Sequence, residues 1–213
     1  MAGTFPENRR TAAGSKKSTR EQILDVAERL VQTRGFNGFS YADVSAELAI
    51  TKASLHYHFP GKADLGLALI ERYIAVFGQE LATIDASEES TATKFERYIA
   101  VFANVLQDGR LCLCGMLAAE YQTIPEPMQE ALRRFFELND TWLAKHLDAG
   151  RRDGDLKFDG PASEAARLLT CGVEGAMLLT RPFADVARFS SATGRLFDQV
   201  TLPRLPRRAI VPR

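Results

Sequence analysis

One stretch constrains the fold of this 213-residue chain more than any other: Thr51-Lys52-Ala53-Ser54-Leu55-His56-Tyr57-His58-Phe59, closed by Pro60-Gly61-Lys62. It has the composition of a helix, but isolated helices shorter than about 12–15 residues are marginal in water, so neighbouring elements must hold it. Thr51 is placed to cap it, its hydroxyl accepting from an amide one turn on. Pro60 and Gly61 end it, because proline disfavours helical geometry in the residue before it. Only Leu55 and Phe59, four apart, are strongly apolar, which leaves one narrow stripe to face a core. The remaining side chains supply hydroxyls, imidazoles and an ammonium, with no carboxylate among them. A helix held along one edge with hydrogen-bonding groups along the other suits a groove of DNA. It makes a poor catalytic centre.

The residues before this stretch supply the neighbours it needs. Ser18 and Glu21 have capping-box spacing, and Ile23, Leu24, Ala27, Leu30 and Val31 then recur with helical period. Gly35 ends that first helix, and Phe36 and Phe39 plug the loop after it. Ser40, with Asp43 three residues on, opens a second helix whose inner face carries Val44 and Leu48. Two short helices in sequence, buttressed by a longer one, form a helix-turn-helix.

From Thr19 to about Tyr73 the chain resembles the DNA-binding domain of the tetracycline-repressor (TetR) family of bacterial regulators. The resemblance rests on Ile23-Leu24-x-x-Ala27, Gly35-Phe36, Ser40 with Val44, and Thr51 through Lys62. The chain departs from the family pattern at Ala49, often glycine there, and at His56, often tyrosine. Alanine at that turn limits its reliance on positive φ. The resemblance implies DNA contact by Ser40, Tyr41, Lys52, Ala53, Tyr57, His58 and Lys62, and Thr51 and Ser54 adjoin these positions. Lys52 and Ser54 are the better placed to reach base edges, while Tyr57, His58 and Lys62 are expected on phosphate.

A longer amphipathic helix is expected from Lys62 to about Ala82, linking the front of the molecule to its rear. Residues 83–92 read as a loop. Helical segments follow at about 93–107, 111–123, 126–150, 162–180 and 184–201, punctuated by Pro125, Gly150 to Gly154, and Pro182. No alternating strand pattern occurs. The expected fold is all-α, about nine helices in total. A helix-turn-helix domain at 18–64 is followed by a larger ligand-binding and dimerisation domain at 65–202. Residues 1–17, with Arg9, Arg10, Lys16 and Lys17 against Glu7, read as a disordered basic arm that could reach DNA or lie idle in solvent. Residues 203–213 read as a disordered tail.

Charge is asymmetric although the net charge is zero. Residues 1–62 hold nine Lys/Arg against six Asp/Glu, and the remainder eighteen against twenty-one, as expected when only the front meets phosphate. No apolar run reaches the ~18–20 residues of a membrane span, and three cysteines make no disulfide framework. The expected location is the cytoplasm.

The rear segments carry the remaining candidates. Phe77, Tyr98, Phe102, Met116, Glu120, Tyr121 and Trp142 are the residues expected around an apolar pocket, although aromatic side chains on such helices are core by default. Glycines inside helices need a packing reason, and close helix approach supplies one. Leu168, Gly172, Gly175, Ala176, Leu179, Phe189 and Leu196 are therefore expected at a homodimer interface, with an intrachain bundle as the alternative. Cys112 and Cys114 would face opposite sides of a helix, as would His56 and His58, so neither pair is expected to bind metal. No cofactor is implied.

The expected function is a ligand-responsive, DNA-binding transcriptional regulator: a homodimeric repressor released from a palindromic operator by a small, largely apolar molecule. A thiol-based sensor using Cys112, Cys114 or Cys171 is the alternative on the same fold. An enzyme is not expected, since no nucleophile–base pair is visible.

Overall fold

The computed structural model describes residues 17–199. The expected arm lies outside them except for Lys17, whose ammonium pairs with Asp25 at 2.8 Å. The expected tail lies outside them entirely. The described residues form nine α-helices and two 3-10 turns, with no strand, and the all-α expectation holds. No helix among them is long and apolar enough to cross a membrane.

α1 (Thr19–Arg34) starts at the expected capping box. The Ser18 hydroxyl accepts from the Glu21 amide at 3.3 Å, and the Glu21 carboxylate accepts from the Ser18 amide at 2.8 Å. Its apolar stripe, Ile23 through Val31, is buried. Gly35 ends it at φ +83°, a conformation that a side chain would strain. α2 (Tyr41–Leu48) is opened by Asp43, whose carboxylate accepts from the Ser40 amide and hydroxyl at 2.7 and 2.6 Å. Ala49 then adopts φ 52°, ψ 39°. The turn into α3 (Lys52–His58) therefore uses positive φ even without glycine, at a cost of about 1–2 kcal/mol.

α4 (Lys62–Asp85) runs three residues beyond its expected end. Ser90, whose hydroxyl accepts from the Thr93 amide, starts α5 (Thr91–Gln107), so the expected loop shrinks to five residues, 86–90. The segment expected as one helix at 111–123 is divided. α6 (Leu113–Ala119) is only seven residues long, and a 3-10 turn at Tyr121–Thr123 follows it. α7 (Glu126–Arg152) packs along α4 and against α8 (Ala162–Thr180). A 3-10 turn at Arg181–Phe183 leads into α9 (Val186–Asp198), which packs on α8.

Buried apolar side chains form one continuous cluster from Ile23 on α1 to Phe197 on α9. At about 1.5–3 kcal/mol per buried large side chain, this cluster dominates what holds the helices together. The far end of α4 is also pinned by hydrogen bonds. Asp85 accepts from Trp142 Nε1 at 2.9 Å and from Lys145 Nζ at 2.6 Å, and its contact with His146 Nε2 is 2.6 Å. Burial holds the His146 imidazole below its ordinary range, with Asp85 pulling the other way.

Candidate nucleic-acid interface and ligand cavity

α3 is held by the edge its sequence defines. Leu55 and Phe59 are buried, and the Thr51 hydroxyl accepts from the Ser54 amide at 3.1 Å. Thr51, Lys52, Ala53 and Tyr57 are exposed, with Ser54 and His58 half-buried between them. Tyr57 is 85% exposed, which for a large ring on a folded surface marks a side chain with nothing of its own chain to cover it. Lys52 pairs with no carboxylate among the described residues, whereas Arg29 and Arg34 are matched by Glu47 and Asp43 on α2.

Three side chains of this region are engaged by groups of their own chain. The Tyr41 hydroxyl donates to the Phe59 carbonyl at 2.9 Å, and burial raises its pKa to about 12. The exposed His56 ring lies tilted against Tyr41 with ring centroids 4.9 Å apart, and its Nδ1 donates to the Pro60 carbonyl at 3.0 Å. Lys62, expected on phosphate, is turned away from the surface. Its ammonium donates to the carbonyls of Phe36 and Phe39 and lies 4.7 and 4.4 Å from their ring centroids. Burial lowers its pKa, with Glu120 and Asp43 opposing. Phosphate would have to compete with two carbonyls and two rings for that charge. Nothing in the sequence marks Arg20, yet its guanidinium lies 5.0 Å over the Phe59 ring, at the end of α3.

The loop after α1 is gripped from the rear. Glu120, the residue that ends α6, accepts from the Phe36 amide at 2.6 Å and the Asn37 amide at 3.2 Å. Asn37 Nδ2 donates to Thr123 Oγ1 at 2.7 Å. At the other end of α6, the Leu111 amide donates to the Gln32 carbonyl at 3.2 Å. Arg181 donates to the Thr33 carbonyl. α4 was the link the sequence suggested, and α6 is a second one, tied at both ends to the last turn of α1 and the loop beyond it.

The aromatic residues expected around a pocket pack mainly on one another. Phe77, Tyr98 and Phe102 are fully buried, and their rings pack on one another at 5.2–6.2 Å. Trp142 stacks on Tyr98 at 5.4 Å. These rings fill the space that was expected to be open. Tyr121 accepts from Arg133 at the surface, and Glu120 serves the loop of α1. Of the expected pocket residues Met116 lines a cavity of about 150 Å³ between α6 and α8. Leu111, Met177 and Leu178 complete its apolar wall, and Gly115 and Gly175 leave the room. Its polar members are Cys112 and Glu174.

Glu174 is half-buried as a residue, but its Oε1 is shielded from water and has no hydrogen-bond partner. Burial raises the carboxyl to about 7, against an opposing hydrogen bond from Cys112. Cys112 is the N-cap of α6 rather than part of the helix, so the opposite-face argument does not describe it. Its sulfur accepts from the Gly115 amide at 3.4 Å and lies 3.8 Å from the Tyr73 hydroxyl. Burial and the facing Glu174 hold its thiol well above the ordinary range, and burial does the same at Cys114. Both are therefore poor nucleophiles. Cys171 is exposed on α8. Among the described residues no three His, Cys, Asp or Glu side chains gather as a metal site would need.

The residues expected at a dimer interface divide into two groups. Phe189 is fully buried within its own chain, and Leu196 packs partly on the core. A Cβ on Gly172 would meet Leu196 Cδ2 at 2.3 Å, so that glycine lets α9 approach α8 inside the subunit. These three make packing contacts within their own subunit. Leu168 and Leu179, by contrast, are more than half exposed, as are Leu178 and Phe183, which the sequence did not single out. With Gly175, around which nothing lies within 4 Å, the three leucines form an open surface along α8, and Phe183 follows in the turn beyond it. Ala176 is half-buried beside it.

Residues 23–69 match the family model of bacterial regulatory proteins of the tetR family. A crystallised TetR-family transcriptional regulator from Agrobacterium tumefaciens is 31% identical, with a TM-score of 0.83, covering 86% of this chain and 97% of its own. The transcriptional repressor NemR of Escherichia coli K12 is 28% identical over 161 residues, 73% of this chain and 80% of NemR. The crystal structure of reduced Escherichia coli NemR superposes with a TM-score of 0.75 at 25% identity, covering 88% of this chain and all of that one.

Proposed function

The chain belongs to the TetR family of bacterial transcriptional regulators, and from that premise we propose a homodimeric repressor that a small molecule releases from a palindromic operator in the cytoplasm. DNA binding belongs to α2 and α3. Lys52 and Ser54 face base edges, and Tyr57, His58 and Arg20 face phosphate, with Ser40 and Thr51 at the two helix starts. Dimerisation belongs to the stripe Leu168–Leu178–Leu179 on α8, whose exposed apolar side chains a second copy would cover. Ala53 allows close approach of the α3 backbone.

The observation that carries ligand response is the position of α6. One side of this short helix lines the cavity through Gly115 and Met116, and its two ends are tied to the loop after α1 through Glu120 and to the last turn of α1 through the preceding Leu111. A molecule that fills the cavity presses on α6, and α6 moves the element on which α2 and α3 are mounted. Release requires the molecule to prefer the arrangement whose recognition helices no longer match two successive grooves. Coupling of about 1–3 kcal/mol, a 5–150-fold change in affinity, empties an operator held near its dissociation constant. The test begins with selection of bound sequences from random DNA by the purified protein. The expected product is a palindrome with half-sites about 34–36 Å apart or a multiple of that. Leu179→Glu should then sediment as a monomer and lose the palindrome. A monomer that still binds it tightly would refute the reading.

A further inference from the structure

Glu174 has one carboxylate oxygen, Oε1, without a hydrogen-bond partner. A carboxyl set in an apolar wall is stable only if its oxygens are satisfied, and Oε1 is both buried and unsatisfied. The other oxygen lies over bare backbone. A Cβ on Gly115 would meet Glu174 Oε2 at 2.4 Å, so the glycine after Cys114 is what gives the carboxyl its seat. No basic side chain lines the cavity, and the only group that hydrogen-bonds to the carboxyl within it is the Cys112 thiol. The site therefore lacks one thing, a donor, and the donor that best offsets a buried carboxylate is a cation.

The rest of the wall describes what that cation is attached to. Leu111, Met116, Met177 and Leu178 are apolar, and two of them are flexible thioethers that adapt to an irregular shape. A cavity of about 150 Å³ lined by apolar side chains is the size that takes benzene. An anionic ligand would meet like charge, and a hydrocarbon would leave Oε1 without a partner.

We propose that Glu174 selects a small apolar primary amine, its ammonium pairing with the carboxylate while a benzene-sized hydrocarbon fills the space between Met116, Met177 and Leu178. This rests on the reading of the cavity as the effector site. On binding, the carboxyl gives up any proton it holds and forms an ion pair with the ammonium. The pair is buried at the wall of α6, the helix that grips the loop of α1. The other titratable groups facing this carboxyl, the thiols of Cys112 and Cys114 and the phenol of Tyr98, all stay protonated at neutral pH, since burial raises each of them.

The test uses benzylamine and benzyl alcohol, which differ in charge and hardly in shape, on full-length protein with ¹³C-labelled methionine methyls at slightly alkaline pH. Met116 and Met177 line the cavity, and Met128, packed against Gly66, reports on the fold. Benzylamine is expected to shift Met116 and Met177 but not Met128, and to bind about tenfold more tightly than benzyl alcohol. Glu174→Gln, nearly the same shape, should abolish the difference while leaving Met128 in place. If the two compounds bind equally and move the same two methyls, the cavity remains a ligand site but the amine preference is wrong. A preference that survives Glu174→Gln removes Glu174 as its source. If neither compound moves those methyls at millimolar concentration, the cavity is not an effector site and both readings fall.

Discussion

The Glu120 carboxylate lies 2.6 Å from the amide nitrogen of Phe36, eighty-four residues earlier in the chain. It is the closing residue of α6, and Phe36 opens the loop that carries the chain from α1 to the DNA-reading helices. A charged acceptor on two backbone amides contributes about 1.5–3 kcal/mol and cannot be replaced by a shorter side chain. Glu120→Ala should therefore lower stability by about that amount in urea denaturation. It should also loosen the tie between cavity and operator, so that a ligand bound at Met116 weakens DNA binding less than in the parent. Unchanged coupling in a folded Glu120→Ala protein would mean that the signal travels through α4 alone.

Arg20 and Lys62 make a matched pair for the DNA surface. Arg20→Ala should reduce the salt slope of operator binding by about 0.9, the contribution of one phosphate. Lys62→Ala should leave the slope unchanged, because its ammonium holds the carbonyls of Phe36 and Phe39. Its expected effect is a loss of about 1.5–3 kcal/mol in stability instead. A reduced slope for Lys62→Ala would show that the side chain leaves those carbonyls when DNA arrives.

Ala49 stores strain that glycine would relieve. Its φ of 52° disfavours any residue with a Cβ, and the residue is exposed, so no packing is lost by removing the methyl. Ala49→Gly trades about 1–2 kcal/mol of backbone strain against the extra freedom of glycine in the unfolded chain. A net gain of about 0.5–1 kcal/mol should appear as a rise of roughly 1–4 °C in Tm. A fall in Tm would mean that the turn is not strained by its methyl.

What the sequence discloses and what it conceals follow from the range of the interactions involved. The caps at Ser18, Ser40 and Thr51 act within four residues, and each is where its pattern puts it. The stripe Leu55–Phe59 is equally local. Glu120 looked like a pocket residue because its partners are more than eighty positions away. Aromatic residues suggest a pocket, but large rings fill space. The cavity beside α6 lies where Gly115 and Gly175 leave space empty, whereas glycines in a helix suggest a helix contact. Close approach was the right reason for Gly172, but the approaching residue is Leu196 of the same chain. One signal was available for Glu174: a single acid between Val173 and the run Gly175-Ala176-Met177, on a helix otherwise apolar at that level.

The pH dependence of stability offers a separate test of the Glu174 environment, independent of any ligand. Burial raises this carboxyl to about 7 in the folded protein, against an ordinary value of 4.5, and the hydrogen bond from Cys112 only partly opposes it. A group whose folded pKa lies above its unfolded value contributes stability that is fully present below the unfolded value. That contribution is lost as the pH rises through the folded one. Wild-type protein should thus lose stability between about pH 4.5 and pH 7 through this group, and Glu174→Gln, which has no proton to release, should not. Because the residue is half-exposed, the difference at about pH 8 should fall short of the full linkage value, on the order of 1–2 kcal/mol in favour of the variant. Near pH 4.5 the two proteins should differ little. Urea denaturation of both across that range measures the gap directly. A gap that stays constant with pH would mean that the carboxyl is solvated, and Oε1 would then need no partner.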